Sequence, residues 1–267
     1  MEARMNGRLK ILVVGATGSI GRLVVEQAIR RGHAVRALVR SASKARELAR
    51  EAESVIGDLT RPETLSGAVE GIDSVVFTHG SDGGGKADSE SVDYGGVRNI
   101  LAALGSRTAR IALMTAIGVT NRNSSYNKST EVHDWKRRSE RLVRASGLAY
   151  TVVRPGWFDY NAPDELKLVF LQGDKRHTGT PKDGVISRRQ IAQVLIGSLS
   201  SENAVGKTFE LIATKGSAQE DLEPLFKMLD ADGKGSLDAI HDPANQPLDG
   251  ELQKVRDDLD SISTLLR

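Results

Sequence analysis

Gly15-Ala16-Thr17-Gly18-Ser19-Ile20-Gly21 lies between an apolar run, Leu9 to Val14, and a stretch of helical period, Ile20 to Arg31. Three glycines at this spacing, on the passage from a strand to a helix, make the arrangement that a dinucleotide fingerprint requires. Glycine lets the turn bend and lets the backbone approach a pyrophosphate. Free N–H groups and the positive end of the helix dipole attract the negative charge, and the third glycine permits close packing of helix on strand. Gly15, Ala16, Thr17, Gly18, Ser19, Ile20 and Gly21 are therefore the first candidate cofactor-binding residues.

Outward from this loop, short runs rich in Val, Ile or Leu recur at Ala34 to Val39, Ser74 to Phe77, Ile111 to Met114 and Tyr150 to Val153. They read as strands buried on both faces. Amphipathic segments separate them, with helices predicted over Ile20 to Arg31, Ser43 to Glu51, Tyr94 to Leu104 and Val132 to Ser146. Alternating strand and helix predicts an α/β fold, a doubly wound parallel (Rossmann) sheet with helices on both faces. Ligands of such sheets bind outside the carboxyl ends of the strands. Three loops there read as lids: His79 to Glu90 with Gly83-Gly84-Gly85, Thr120 to Glu131, and the basic Gln172 to Gly184, which precedes a helix starting near Ser187. Gln219 to Leu229 and Leu252 to Leu266 look helical, on either side of an Asp/Gly/Pro-rich connection from Asp230 to Gly250. The expectation is one domain over residues 1–267, with substrate loops and a small C-terminal helical cap from about residue 155.

Composition narrows the function. Of 267 residues, 39% are hydrophobic and 27% charged, and the formal net charge is only +2. Neither a basic nucleic-acid face nor an acidic tail follows, and an aromatic content of 4% leaves few rings for stacking on bases. The absence of cysteine excludes disulfides, thiolate nucleophiles and thiolate metal sites. Met1 to Lys10 is polar and Ile11 to Val14 is too short for a signal or membrane segment. A cytoplasmic protein, monomer or homodimer, acting on a small molecule without nucleic-acid or membrane partner, is expected.

The second strand chooses the cofactor. An acid at its end would bind the ribose hydroxyls of NAD, whereas arginine accommodates a 2′-phosphate. This strand ends in Arg40, followed by Ser41, Ser43 and Lys44, with no acid before Glu47. NADP (NADPH) is favoured. Asp58, after Val55-Ile56-Gly57, is placed to cap the adenine side.

Together with the glycine loop, Gly57-Asp58-Leu59, Val92-Asp93-Tyr94-Gly95-Gly96-Val97, Trp135-Lys136, Ser146-Gly147-Leu148 with Tyr150-Thr151, Arg154-Pro155-Gly156-Trp157 and Ile186-Ser187-Arg188 resemble the atypical short-chain dehydrogenases/reductases of the NmrA-like, NAD(P)H-binding sort. The resemblance covers most of the chain. It implies that Asp58 and Leu59 lie beside the adenine, Thr78, His79 and Gly80 beside the ribose, and Thr115 and Lys136 near the nicotinamide, whose pocket Pro155, Gly156 and Trp157 would line. Complete reductases of this kind use a Tyr-x-x-x-Lys pair for proton donation. Here Val132 stands four residues before Lys136, so the donor is sought in Tyr126, in His133, or in a water held by Thr115.

Two further patterns read as decoys. Asp230 to Asp238 begins like an EF-hand loop, but Lys234 at the fifth place and His241 at the twelfth remove the ligands, so no metal is expected and the segment reads as a turn-rich connection. The basic cluster Lys136-Arg137-Arg138, Arg141 and Arg144 reads as a solvated helix face. Three functions then compete: an NADPH-dependent oxidoreductase acting on a carbonyl, imine, quinone or flavin-like acceptor, an NADP-binding redox sensor without turnover, and an epimerase or dehydratase with tightly held NAD. Arg40 and the absent tyrosine oppose the third.

Overall fold

The computed structural model describes residues 7–81 and 84–265. The strands are β1 (Lys10–Val14), β2 (Ala34–Val39), β3 (Glu53–Ile56), β4 (Ser74–Phe77), β5 (Arg110–Met114), β6 (Tyr150–Pro155), β7 (Trp157–Phe158), β8 (Lys167–Leu171), β9 (Val185–Ile186) and β10 (Lys207–Thr214). They form one sheet in the order β3-β2-β1-β4-β5-β6-β10-β9-β7, with β8 paired to β10. The six strands from β3 to β6 and the neighbour β10 run parallel, while β8 and β9 pair antiparallel to β10. Strand order reverses between β1 and β4, which places the ligand crevice of a doubly wound sheet at the end of β1, where the glycine loop begins.

The helices are α1 (Ser19–Arg30), α2 (Ala42–Ala45), α3 (Lys86–Asp88), α4 (Gly95–Leu104), α5 (Ser125–Thr130), α6 (Val132–Ala145), α7 (Arg188–Ser198), α8 (Glu223–Lys227) and α9 (Gln253–Ser263). Helices α1 and α7 pack together, as α6 does with α4 and α9. Alternation along β1 divides the core: Ile11 and Val13 join Val24, Val194 and Phe209, whereas Leu12 and Val14 join Phe77, Ile100, Trp135 and Val255. Both faces are thus dry, as period-2 side chains on a covered parallel sheet require.

Several sequence expectations are corrected. The helix over Ser43 to Glu51 is only α2, because the chain then tightens into turns (Glu47 N–H to Lys44 O, Leu48 N–H to Ala45 O) before β3. The loop His79 to Glu90 is not wholly irregular: α3 runs into a wide π turn over Ser89–Tyr94 that buries Ser89 and Asp93, while Gly83 lies outside the described residues. Gln219 to Leu229 yields only α8, since Pro224 fits the first turn of a helix but not its interior, and Gln219 instead bonds both backbone groups of Leu168. The last predicted helix is α9, and Leu266 lies outside the described residues. The sequence reading omitted β3, β7, β8, β9 and β10; the two longest of these, β8 and β10, have runs that begin with lysine, and β10 also carries a glutamate.

Candidate functional site

The glycine loop leaves its backbone bare for a ligand. Gly15 has φ +85, and a side chain there would meet the His79 backbone N at 2.7 Å. A Cβ on Gly21 would lie 2.0 Å from the Gly15 carbonyl oxygen. The Gly18 N–H donates to that oxygen at 2.9 Å and closes the turn. Ala16 and Ile20 point into the core, Thr17 is half-buried, and Gly18 and Ser19 are exposed. No side chain caps α1 and no acid occupies its first turn, so the positive helix end remains uncompensated. A loop drawn this tight at Gly15 and Gly21, ahead of an uncompensated helix end, fits the pyrophosphate of a dinucleotide.

At the end of β2, Arg40 is exposed and forms no ion pair among the described residues. Its neighbours are otherwise engaged. Ser41 caps α2 and bonds Ser43, Lys44 pairs with Glu47 at 2.8 Å, and Arg22, which donates to the Thr17 carbonyl at 2.9 Å, also pairs with Glu47. Asp58 Oδ1 accepts from both the N–H and the hydroxyl of Thr60, which hold its carboxyl below the usual range, with Arg40 adding to the effect. Leu59 is half-buried over Gly96, and its carbonyl accepts from Asn99.

Beyond β4, the Thr78 hydroxyl donates to the Val14 carbonyl at 3.0 Å and so fastens strand to strand. His79 lies against Phe77 and contacts the Val92 carbonyl through Nε2 at 3.0 Å, while Nδ1 is buried without a partner. Burial pushes its pKa down to about 4, so the ring is neutral. Gly80 is exposed beside Asp93 and Lys136. Lys136 Nζ sits 2.6 Å from Asp93 Oδ1, and Asp93 also accepts from the Ser81 N–H. Burial works to raise the Asp93 pKa, but the Lys136 charge outweighs it and keeps the carboxylate ionised.

The three donor candidates fare differently. Thr115 is buried and its hydroxyl donates to Glu140 at 2.8 Å, so its proton is engaged by that carboxylate. His133 is half-buried, with its N–H bonded to Asn127 and its Nδ1 buried without a partner; burial depresses its pKa. Tyr126 is 50% exposed and its ring meets that of His133 edge-on at 5.5 Å, so the structure brings these two together. Val132 belongs to the buried core, which leaves no phenol at that place. Pro155 ends β6. A Cβ on Gly156 would lie 2.5 Å from the Gly184 carbonyl, and Trp157 is exposed, edge-on to Tyr160.

Four residues here have no role in the sequence reading. Asp174, buried at φ +46, accepts from the Gly118 and Thr120 N–H groups and the Thr120 hydroxyl, and so ties the loop after β5 to the loop after β8. His177 lies 3.2 Å from the Thr120 hydroxyl. Asp183 gathers the N–H groups of Thr178, Gly179 and Thr180. Arg188 reaches Ser19 at the head of α1. The available signals were Asp174 beside Gly173, Asp183 beside Gly184, and Arg188 in Ile186-Ser187-Arg188.

The basic stripe on α6 is not solvated. Arg137, Arg138, Arg141 and Arg144 are buried against Asp238, Glu251 and Asp232, acids supplied by the C-terminal connection. Hence the EF-hand-like aspartates are guanidinium partners, with His241 bonded to Asp230. Among the described residues no group of three His, Asp or Glu side chains is placed to hold a metal, and no helix is long and apolar enough to cross a membrane.

Residues 15–202 match the model of a family described as NAD(P)H-binding. An uncharacterized sugar epimerase, YhfK of Bacillus subtilis, is 31% identical over 81% of this chain and all of its own. Sanguinarine reductase of Eschscholzia californica is 26% identical over 83% of this chain and 96% of its own. Among solved structures, the oxidoreductase YlbE of Lactococcus lactis superposes with a TM-score of 0.67 at 18% identity, over 84% of this chain and all of its own, a likeness of fold.

Proposed function

The chain belongs to the NAD(P)H-binding family, of the atypical short-chain dehydrogenase/reductase type, and we propose that it is an NADPH-dependent oxidoreductase reducing a small carbonyl, quinone or flavin-like acceptor. The carrying observation is the bare glycine cradle at an uncapped helix end, with exposed Arg40 at the end of the neighbouring strand. Gly15 to Gly21 would hold the pyrophosphate, Arg40 the 2′-phosphate, Asp58 and Leu59 the adenine side, and Thr78 to Gly80 with Lys136 the ribose next to the nicotinamide. The bound cofactor supplies a hydride. Asp93 fixes the Lys136 ammonium, and Pro155 to Trp157 wall the pocket and exclude water. His133 and Tyr126, packed together, are the groups that would deliver a proton to the acceptor. The relative named sanguinarine reductase supports the reductase reading.

A second reading is an NADP-binding redox sensor without turnover, favoured by Val132 in place of the tyrosine. The epimerase name of one relative points elsewhere, but Arg40 and Val132 oppose it for this chain. Titration with NADPH and NADH, followed by NADPH consumption against quinones, aldehydes and flavins, separates these. Tight NADPH binding with turnover supports the reductase, tight binding without turnover the sensor, and preference for NADH removes the NADP assignment.

A further inference from the structure

Arg188 is placed where elementary electrostatics disfavours a cation. It is the first residue of α7, and its Nε donates to Ser19 Oγ, at the first residue of α1, across 3.1 Å. The guanidinium therefore faces the positive ends of two helices, each of which favours an anion. Asp159 offsets part of this: its carboxylate accepts from the Arg188 backbone N–H at 3.0 Å and pairs with the guanidinium. Asp159 achieves that contact at φ +58, a backbone conformation that costs a non-glycine residue about 1 kcal/mol or more. The guanidinium carbon lies 5.2 Å from the centroid of the Phe158 ring, a cation–π contact that offsets a further part of the helix-end repulsion. Nη2 makes no hydrogen bond among the described residues, and a third of the side chain is exposed.

We propose that Arg188 is a second, C-terminal clasp for the pyrophosphate of the dinucleotide, and that Asp159 is the positioning residue that aims it. This rests on the cofactor reading above. An anion at the head of α1 removes the electrostatic cost of the guanidinium, and Nη2 supplies a charged donor, which the glycine loop lacks. The arrangement also links the two ends of the cofactor site. Asp159 follows Trp157 by two residues, and both N–H groups bond the segment that precedes α7, Trp157 to Gly184 O and Asp159 to Ile186 O. The wall of the nicotinamide pocket and the pyrophosphate clasp thus share one short stretch of chain.

The test compares ligands that contain or lack a pyrophosphate. Arg188→Ala should raise the NADPH and ADP-ribose dissociation constants about tenfold, the loss of one charge-assisted contact, and leave 2′-AMP, which has no pyrophosphate, unchanged. Without ligand, thermal unfolding of Arg188→Ala should stay close to the wild type, because the lost pair with Asp159 is partly exposed and the helix-end repulsion is lost with it, while the NADPH-induced shift shrinks. Arg188→Lys, which keeps a charge but not the fork, should fall between, and Asp159→Asn should weaken NADPH several-fold. Equal weakening of 2′-AMP, or unchanged NADPH binding in both Arg188 variants, overturns the clasp. If the wild type itself binds no NADPH, the cofactor reading fails with it; if the wild type binds and the variants match it, only the clasp fails.

Discussion

Arg154 and Glu140 meet as a bidentate pair, Nη2 to Oε2 at 2.7 Å and Nε to Oε1 at 3.0 Å, with both side chains fully buried. Asp242 grips the other side of the guanidinium through two contacts of 2.7 Å. The pair joins β6 to α6 and, through Asp242, to the C-terminal connection. Truncating one member of such a pair leaves uncompensated charge in a dry site. Arg154→Met should therefore lower unfolding stability by about 3–5 kcal/mol. The exposed Lys44–Glu47 pair is screened by water, so Lys44→Ala should leave the urea midpoint unchanged. Similar midpoints for the two variants would contradict the importance assigned to the buried pair.

Glu210 gives the protein an unusual pH dependence. Arg154 is already matched by Glu140 and Asp242, so Glu210 is a surplus acid, and burial, reinforced by Asp174 and Asp242, pushes its pKa up from 4.5 to about 8 against the pull of Arg154. Between those values the folded state holds a proton that the unfolded state has lost. Stability from this group is thus full below pH 4.5 and falls as pH rises through about 8, by at most about 1.4 kcal/mol per unit. Glu210→Gln should flatten that decline in urea midpoints measured from pH 5 to 9. An unchanged slope in the variant would show that Glu210 ionises normally.

Why part of this was legible in the sequence and part was not follows from range. The glycine loop and the Ser187 cap of α7 are local: Ser187 Oγ accepts the Gln190 N–H, and Gln190 answers at Ser187, within four consecutive residues. The α6 arginines read as solvated because their spacing spreads them around the helix, while the acids that bury them lie about a hundred residues later, Asp238 being 101 from Arg137 and Glu251 113 from Arg138. No periodicity reports such a pairing. Asp174 was hidden for the same reason, since its partners Gly118 and Thr120 are 56 and 54 residues away.

Lys136 has two roles that a single substitution confuses. Lys136→Met should weaken NADPH binding, but it also strands Asp93, whose side chain is 1% exposed, and so should cost roughly 3 kcal/mol of stability. Adding Asp93→Asn should recover most of that stability, because an amide is far cheaper to bury than a carboxylate. NADPH affinity should stay low in the double variant. Its recovery together with stability would return Lys136 to a purely structural role.

Arg40 can be examined without that complication, since it is exposed and unpaired among the described residues. Arg40→Ala should raise the NADPH dissociation constant by roughly 10–100-fold, the worth of a hydrogen bond to a charged group. NADH, which has no 2′-phosphate, should bind unchanged. Equal loss for both cofactors would remove Arg40 from the phosphate site.

Gly21 is the position where two effects of opposite sign can be weighed. It lies in the first turn of α1, where alanine for glycine would favour the helix by up to about 1 kcal/mol. The added Cβ would, however, sit 2.0 Å from the Gly15 carbonyl oxygen and 2.9 Å from Ala16 Cα, both in backbone that cannot rotate away. Overpacking of that kind costs about 1–3 kcal/mol and moves the loop that should receive the pyrophosphate. The clash should win, so Gly21→Ala is expected to be less stable in urea and to bind NADPH at least tenfold more weakly. Gly67→Ala, with nothing within 4 Å of its Cβ, should be neutral in both measurements. A Gly21→Ala protein more stable than wild type, with unchanged NADPH affinity, would mean that the loop has slack and that the cradle is not set by helix-on-strand contact.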